Sequence, residues 1–298
     1  MLTAVKALLT ELIDYAGLFP PARLDLATAI ARYRQHEQGP YRWLLGRFVL
    51  PLSQLEQLQA VLAEHQPAAP LPLSLILDGE IDRAIAGLSA LKDPSSSSGD
   101  RPISITALEL PPAALAASPQ LLPYLPQNTE IFAEVPCSGD AATYLPALRQ
   151  SQLKAKVRTG GLTPAAFPSP AQLSQFIAAC AQAQTPFKAT AGLHHPLPAR
   201  RALTAAPDSP TAAMQGFLNV AIAAALLYCQ KITPAEAQHL LRATALASWR
   251  FAANQISWGD RPLSLTEIQV ARRQFFRSFG SCSLQEPIAD LKALGLLG

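Results

Sequence analysis

Short apolar runs alternate along the chain with longer segments in which apolar residues recur at helical spacing. The short runs are typical of buried β-strands, and the longer segments are typical of helices that place one face on a core. The segment 170–183 is a clear example of the helical pattern. Six strand–helix pairs follow one another in this way, with strands predicted at 46–51, 71–79, 103–111, 130–136, 154–161 and 186–192.

Two weaker candidates complete a series of strand–helix pairs. The segment 12–21 indicates a strand-like first element, and 216–221 indicates a last strand before a helix that ends near residue 230. Eight such units in series, with strands buried on both faces, are typical of an α/β fold of TIM type, the (β/α)8 barrel. A doubly wound open sheet is the competing architecture, but no glycine-rich dinucleotide fingerprint follows an early strand. The sequence therefore predicts a (β/α)8-like barrel over residues 1–230.

The remaining residues, 231–298, are predicted to be helical throughout. Thr233 precedes a proline in a helix-start pattern, and Ser264 with Glu267 has the spacing of a capping box. A second box of this kind begins at Ser283. The segment is too apolar for a solvated tail, so we expect a C-terminal helical extension packed on the barrel.

Composition narrows the functions that this fold could serve. The chain has 298 residues, 49% hydrophobic and 15% charged, and a net charge of +3 without a basic run, so no nucleic-acid surface is indicated. The longest apolar run, 217–228, is too short to span a bilayer, so no membrane association is predicted. The widely spaced cysteines Cys137, Cys180, Cys229 and Cys282 are expected to be free thiols of a cytoplasmic protein.

Polar and charged residues lie at the ends of several predicted strands. Enzymes with this fold collect their active sites at the C-terminal ends of the strands and in the loops beyond them. A charged side chain is expected on the inward face, because the helix-facing side is apolar and a lone buried charge is costly. The residues at these positions are Asp78, Glu109, Glu134, Lys156, Arg158, Lys188, Thr190, His194, His195 and Asn219.

Each of these residues also has a structural interpretation. Any one charge alone is typical of a structural ion pair, whereas the concentration of charge at strand ends indicates a site. Gly160 and Gly161 follow Arg158 and form either a simple turn or a backbone cradle for an anion. His194 and His195 are either a solvated loop end or part of the rim of the site.

Residues 154–192 resemble class I aldolases of the deoxyribose-phosphate aldolase type. In that family one strand carries a lysine in a K-x-[ST]-x-G setting, which reads "KATAG" here from Lys188. The resemblance implies a Schiff base on Lys188, whose pKa would be lowered by desolvation and by Lys156 or Arg158 nearby. The family has a second lysine on the following strand, and the predicted strand 216–221 contains none.

Three other stretches resemble a family of uncharacterised bacterial proteins of (β/α)8-barrel type. They are "DYAGLFPPA" at 14–22, "KATAGLHHP" at 188–196 and "GSCSLQEP" at 280–287. This resemblance implies the same fold and carries no activity with it. Within 14–22, Asp14 or Tyr15 could reach a site only if this segment is the first strand.

The leading hypothesis is an enzyme with lyase or aldolase chemistry on a small carbonyl or phosphorylated metabolite. Lys188 would be the nucleophile, with Glu109, Glu134 and Lys156 as further catalytic residues. No cofactor signature is present, the expected partner is a small anionic metabolite, and a homo-oligomer is left open. The residues expected to bind the substrate are Arg158, Gly160, Gly161, Thr190, His194, His195 and Asn219.

Two alternatives stay open at this point. In the first, a divalent metal ion is bound by Glu109, Glu134, His194 and His195, with water as a further ligand. In the second, the barrel is a non-catalytic ligand-binding or scaffold protein that uses the same charges to hold its partner.

Overall fold

Eight parallel strands close into a barrel in the computed structural model of the chain. Helices alternate with the strands along the chain, which confirms the predicted (β/α)8 fold. None of the helices in the described ranges is long and apolar enough to cross a membrane. The structure describes residues 1–63, 69–91, 102–137, 141–204 and 206–297.

The strands follow one another around the barrel in chain order, and the last pairs with the first. Seven of them confirm predicted strands, including the uncertain first one. The barrel strands are β1 (Ile13–Tyr15), β2 (Leu45–Pro51), β3 (Leu71–Ile76), β4 (Ile103–Leu110), β5 (Glu130–Val135), β6 (Lys154–Arg158), β7 (Phe187–Thr190) and β13 (Phe276–Ser281).

The eighth strand is not the predicted one. The segment 216–221 lies in a helix, α8 (Phe217–Tyr228), of which every residue but the last is buried. A segment that is apolar on all sides has no periodicity that separates a buried helix from a buried strand. The barrel is instead closed by β13, within a stretch that was predicted as helix.

The region beyond residue 230 contains the predicted helices and additional strands. Ser264 forms the expected capping box, and Thr233 at its predicted helix start also forms one. Ser283 accepts a hydrogen bond from the backbone N–H of Glu286, but the helix begins after Leu284 and the predicted second box is incomplete. An antiparallel sheet replaces part of the predicted helix, and because β13 also lies here, the barrel sheet uses residues on both sides of position 230. The elements are α9 (Pro234–Leu241), β10 (Trp249–Ala252), β11 (Gln255–Trp258), β12 (Arg261–Ser264), α10 (Leu265–Gln274) and α11 (Gln285–Ala293).

The apolar core lies between the barrel and its helices. Phe187 on β7 shows the arrangement, because its ring lies 5.6 Å from the ring of Phe176 on a helix and 4.9 Å from that of Phe276 on β13. The other helices are α1 (Thr3–Leu9), α2 (Leu26–Glu37), α3 (Leu55–Ala63), α4 (Ile81–Ala90), α5 (Ser118–Leu121), α6 (Leu145–Gln150) and α7 (Pro170–Gln182), and a hairpin of β8 (Ala199–Ala202) and β9 (Thr211–Met214) follows β7. The strand β7 thus has its Phe187 face on the apolar core. Because strand residues alternate between the two faces, the residues next to Phe187 point into the barrel, where the charged side chains lie.

Candidate functional site

Three charged residues stand side by side on consecutive strands inside the barrel. Glu134 on β5 is the register partner of Lys156 on β6, and Lys156 is the register partner of Lys188 on β7. The alternation along the strands places Arg158 on the same face as Lys156 and Thr190 on the same face as Lys188. The predicted convergence of strand-borne charge is therefore present, and it occurs in the barrel interior.

Lys188 is the most enclosed of these charges, with a side chain only 1% exposed. Its Nζ lies 2.6 Å from Asp14 Oδ2 on β1 and 2.6 Å from Glu109 Oε1 on β4. Ser74 on β3 is 3.5 Å away, and the ring centre of Phe132 on β5 is 5.5 Å away. Lys188 thus connects side chains from four other strands across the barrel axis.

Lys188 is held in its charged form. Burial alone would lower the pKa of Lys188, but the carboxylates of Asp14 and Glu109 outweigh burial and raise it. The expectation of a lowered pKa at Lys188 is therefore wrong. Burial also acts on Glu109, where it favours the neutral acid, but the charges of Lys188 and Lys156 prevail and lower its pKa to about 2.

Lys156 and Arg158 extend the ion pairs from the interior to the C-terminal end of the barrel. Lys156 Nζ lies 3.3 Å from Glu109 Oε2 and 3.0 Å from Glu134 Oε2, and its side chain is 4% exposed. Arg158 binds Glu134 through both Nε and Nη2, at 3.1 and 3.3 Å, and is 50% exposed. Oppositely charged residues therefore alternate along the sequence of contacts Asp14, Lys188, Glu109, Lys156, Glu134 and Arg158.

The contact between Lys156 and Glu109 differs from the others. Oε2 of Glu109 accepts no hydrogen bond, although Lys156 lies within ion-pair distance of it. Oε1 of the same carboxylate, by contrast, accepts from both Lys188 and Ser74. One oxygen of this buried carboxylate is therefore fully used, and the oxygen beside Lys156 is not.

A second group of charges lies nearer the N-terminal ends of the strands. Glu130 at the start of β5 contacts Arg47, Lys154 and Arg277, and Arg277 Nε lies 2.8 Å from its carboxylate. Burial would raise the pKa of Glu130, but these cations lower it to about 2. Sequence reasoning missed this group, although Lys154 lies two residues before Lys156 and the alternation of β6 places both on one face.

The glycines after β6 are accounted for by close packing. A Cβ on Gly160 would lie 2.6 Å from the Cα of Gly192 and 2.8 Å from the ring of Phe167. Gly192 itself has a φ of +75°, a conformation that L side chains rarely adopt. This favours the turn interpretation of Gly160, and a role of Gly160 or Gly161 in binding an anion stays a prediction.

The histidine pair contacts the C-terminal helix α11. His195 Nδ1 lies 2.5 Å from Asp290 Oδ2, and His194 Nδ1 lies 3.8 Å from Glu286 Oε2. Burial lowers the pKa of His194, an effect that outweighs the nearby carboxylate of Glu286. The predicted place of the pair at a loop end beyond β7 is observed, and the imidazole rings contact Cys282, Glu286 and Asp290 near the C-terminus.

The residues of the metal alternative are not brought together as one group in the described ranges, and a metal ion bound by them stays a prediction. Across the described ranges of the chain, no group of three or more His, Cys, Asp or Glu side chains is placed to hold a metal ion. Glu109 and Glu134 are instead engaged with Lys156.

Two residues from the predicted strand ends have structural roles. Asn219 lies on α8, and its Nδ2 donates to the carbonyl oxygens of Leu240 and Ala243 at 2.8 and 2.9 Å. It joins two helices, so the structure does not bring it to the barrel interior. The carboxylate of Asp78 accepts hydrogen bonds from the backbone N–H and the hydroxyl of Ser53, next to the start of α3.

Comparison of the chain with protein-family models, with curated proteins and with solved structures finds no match. The observed barrel agrees with the fold that the resemblance to uncharacterised (β/α)8-barrel proteins implies. The aldolase resemblance and the family resemblance stay predictions beyond that.

Proposed function

We propose that the protein is a barrel enzyme of lyase or aldolase type, acting on a small anionic carbonyl compound at the C-terminal end of the barrel. The proposal assigns the attacking amine to Lys156 and makes Lys188 a fixed cation beside it. The observation that carries it is the pairing of these two lysines on neighbouring strands, with one oxygen of Glu109 facing each of them.

The surroundings of the two lysines favour this division of roles. Lys188 cannot leave its place without stranding the buried carboxylates of Asp14 and Glu109, which is strongly unfavourable. Lys156 is bound less closely, at 3.0 and 3.3 Å, and one of its partners, Glu134, is 18% exposed. A carbonyl compound that enters past Glu134 therefore meets Lys156 before Lys188.

The chemistry follows from these contacts. The amine of Lys156 must lose a proton before it can attack a carbonyl carbon, and Glu134 is close enough to accept that proton. The hydroxyl of the adduct then takes this proton back from Glu134 and leaves as water, which gives an iminium ion in which the substrate carbon is joined to Nζ of Lys156. Glu109 Oε2, which accepts no hydrogen bond, can accept one from a substrate hydroxyl beside this nitrogen.

Arg158 is suited to the anionic group of the substrate. It uses Nε and Nη2 on Glu134, and a guanidinium has five N–H donors, so it can bind a second anion at the same time. Its exposure places these donors at the rim. The mechanism uses side chains alone and no cofactor, and a cytoplasmic location stays part of the proposal.

Borohydride trapping tests the assignment. The purified protein is incubated with a panel of small aldehydes and 2-keto acids, reduced, digested and analysed by peptide mass mapping. We expect an adduct on Lys156 that is absent from the Lys156→Arg variant. Lys154→Arg, on the same strand but at its other end, is the matched control and should keep the adduct. A folded protein that gives no adduct with any compound, or one on Lys188 only, would contradict the proposal.

A non-catalytic binding protein is the second candidate, and the completeness of the ion pairing favours it. All three lysine and arginine side chains of the contact series have carboxylate partners, and Lys188 is held charged. In this case the same compounds bind without trapping, and Arg158→Gln weakens their binding. Trapping on Lys156 decides between the two candidates.

A further inference from the structure

A cavity of about 900 Å³ opens at the N-terminal end of the barrel, opposite the proposed active site. Its walls come from the residues before β1, from the start of β2, and from the end of α10 together with the start of β13. Volumes of this size are typical of small-molecule sites. The proposed function makes no use of this cavity.

Arginine dominates the charge of the cavity wall. Arg47 and Arg277 are already paired with Glu130. Within the described part of the chain, the other three arginines have no carboxylate at ion-pair distance. The lining arginines are Arg42, Arg47, Arg272, Arg273 and Arg277, and the lining carboxylates are Glu11, Asp14 and Glu37.

Arg272 is the least usual of these residues, because it is buried, with 8% exposure. Its terminal nitrogens donate to the backbone carbonyls of Phe276, Arg277 and Thr10. Its Nε is buried and has no hydrogen-bond partner. Burial, together with the charge of Arg277, lowers the pKa of Arg272 to about 9. A buried cation with an unpartnered donor and no carboxylate at ion-pair distance is costly unless a ligand supplies the opposite charge.

The carboxylates on the cavity wall do not balance the positive charge of its arginines. Asp14 is fully engaged, since Lys188 and Ser278 contact its Oδ2 at 2.6 and 2.7 Å. Glu37 is paired with Arg34 outside the cavity lining. Glu11 is exposed at the edge.

We propose that this cavity is a binding site for a small anionic molecule that carries a phosphate or a carboxylate group. Arg272 lines the cavity without a carboxylate of the described residues at ion-pair distance, so its guanidinium charge attracts one end of the anion, and arginine recognises both groups. Arg42 and Arg273 are exposed at the opening and supply the charge that draws the anion in. This site is independent of the chemistry at the other end of the barrel.

Calorimetric titration with inorganic phosphate, pyrophosphate and citrate tests the proposal, at ionic strength held constant with chloride. The main variant is Arg42→Gln with Arg273→Gln, because both residues are exposed and the fold does not depend on them. The matched control is Arg200→Gln with Arg201→Gln, two exposed arginines on the hairpin that follows β7. Circular dichroism confirms that each variant is folded, and Arg272→Gln is added if it folds.

We expect saturable binding of at least one anion, weakened about tenfold by the double variant and unchanged in the control. Tighter binding of the phosphates than of citrate assigns a phosphate-bearing ligand, and the reverse assigns a carboxylate. Absence of saturable binding, or binding that the double variant leaves unchanged, overturns the site. Binding that is lost in Arg158→Gln but kept in the double variant also overturns it, because the anion is then held at the other end.

Discussion

The two ends of the barrel differ in whether their lysine and arginine side chains have carboxylate partners. Towards the C-terminal end, Lys156, Arg158 and Lys188 each contact a carboxylate from another strand, and the carboxylates Glu109 and Glu134 each contact two cations. At the N-terminal end, three of the five arginines on the cavity wall lack such a partner in the described residues.

Paired and unpaired charges are expected to have different roles in this protein. A buried pair whose members satisfy each other fixes the positions of strands and side chains, and it becomes harmful when one partner is removed. Arg272 differs, because its hydrogen bonds go to backbone carbonyls and no carboxylate of the described residues lies at ion-pair distance, so its charge is left for an anion to balance. We therefore expect substitutions of the paired charges to change stability, and substitutions of the unpaired arginines at the N-terminal end to change the response to anions.

The largest effect should come from removing Lys188. The variant Lys188→Met leaves Asp14 and Glu109 buried without their shared cation, which we expect to lower the free energy of unfolding by about 3–5 kcal/mol. Urea unfolding followed by circular dichroism measures this change. Arg158→Met is the control at the same end of the network; because its side chain is 50% exposed, we expect a loss of less than about 1 kcal/mol. Equal losses in the two variants would show that burial does not set the energetics of these ion pairs.

Acid should destabilise the folded protein through both groups of charges, the one around Glu109 and the one around Glu130. The pKa values of Glu109 and Glu130 are lowered from 4.5 to about 2, so both carboxyls bind protons more readily in the unfolded chain. Their stabilising contribution is fully present above the unfolded pKa and is lost as the pH falls towards 2, by about 2–3 kcal/mol for each. Urea unfolding at a series of pH values from 7 down to 2 measures how steeply the free energy of unfolding falls with pH.

The variants Glu109→Gln and Glu130→Gln sharpen this test, since each should flatten the pH dependence by its own share. If the two groups of charges are independent, the effects on the slope add in the double variant. A slope that neither variant changes would mean that other carboxyls control acid unfolding.

The strand pattern could be predicted because its signal is local. A buried strand bounded by turns can be recognised from a few consecutive residues. The period of two then correctly placed Lys156 on one face with Arg158, and Lys188 on one face with Thr190. The same rule, applied once more, would have added Lys154 to this face. What failed was the last strand, where the pairing register shifts between Phe276 and Phe279 and breaks the alternation.

The partners of the charges could not be predicted, because they depend on closure of the barrel. Asp14 and Lys188 are separated by 174 positions and meet only because β13 joins β7 to β1. The resemblance to aldolases directed attention to Lys188 alone, whereas the register shows that Lys156 stands directly beside it. Arg272 was assigned to a continuous helix, so nothing in its local sequence indicated that it lines a cavity.

The smallest effect is the one that distinguishes the two ends most directly. Phosphate at about ten times its dissociation constant should raise the free energy of unfolding of the native chain by about 1.4 kcal/mol, because only the folded protein has the cavity. The variant with Arg42→Gln and Arg273→Gln should lose most of this increment, while its stability without phosphate stays within about 0.5 kcal/mol of the native value.

Phosphate also stabilises proteins in general by exclusion from their surface, but that contribution is the same in both proteins and cancels in the difference. Thermal and urea unfolding with and without phosphate measure the four values. An increment that survives in the double variant would place the anion elsewhere and would remove the distinction between the two ends.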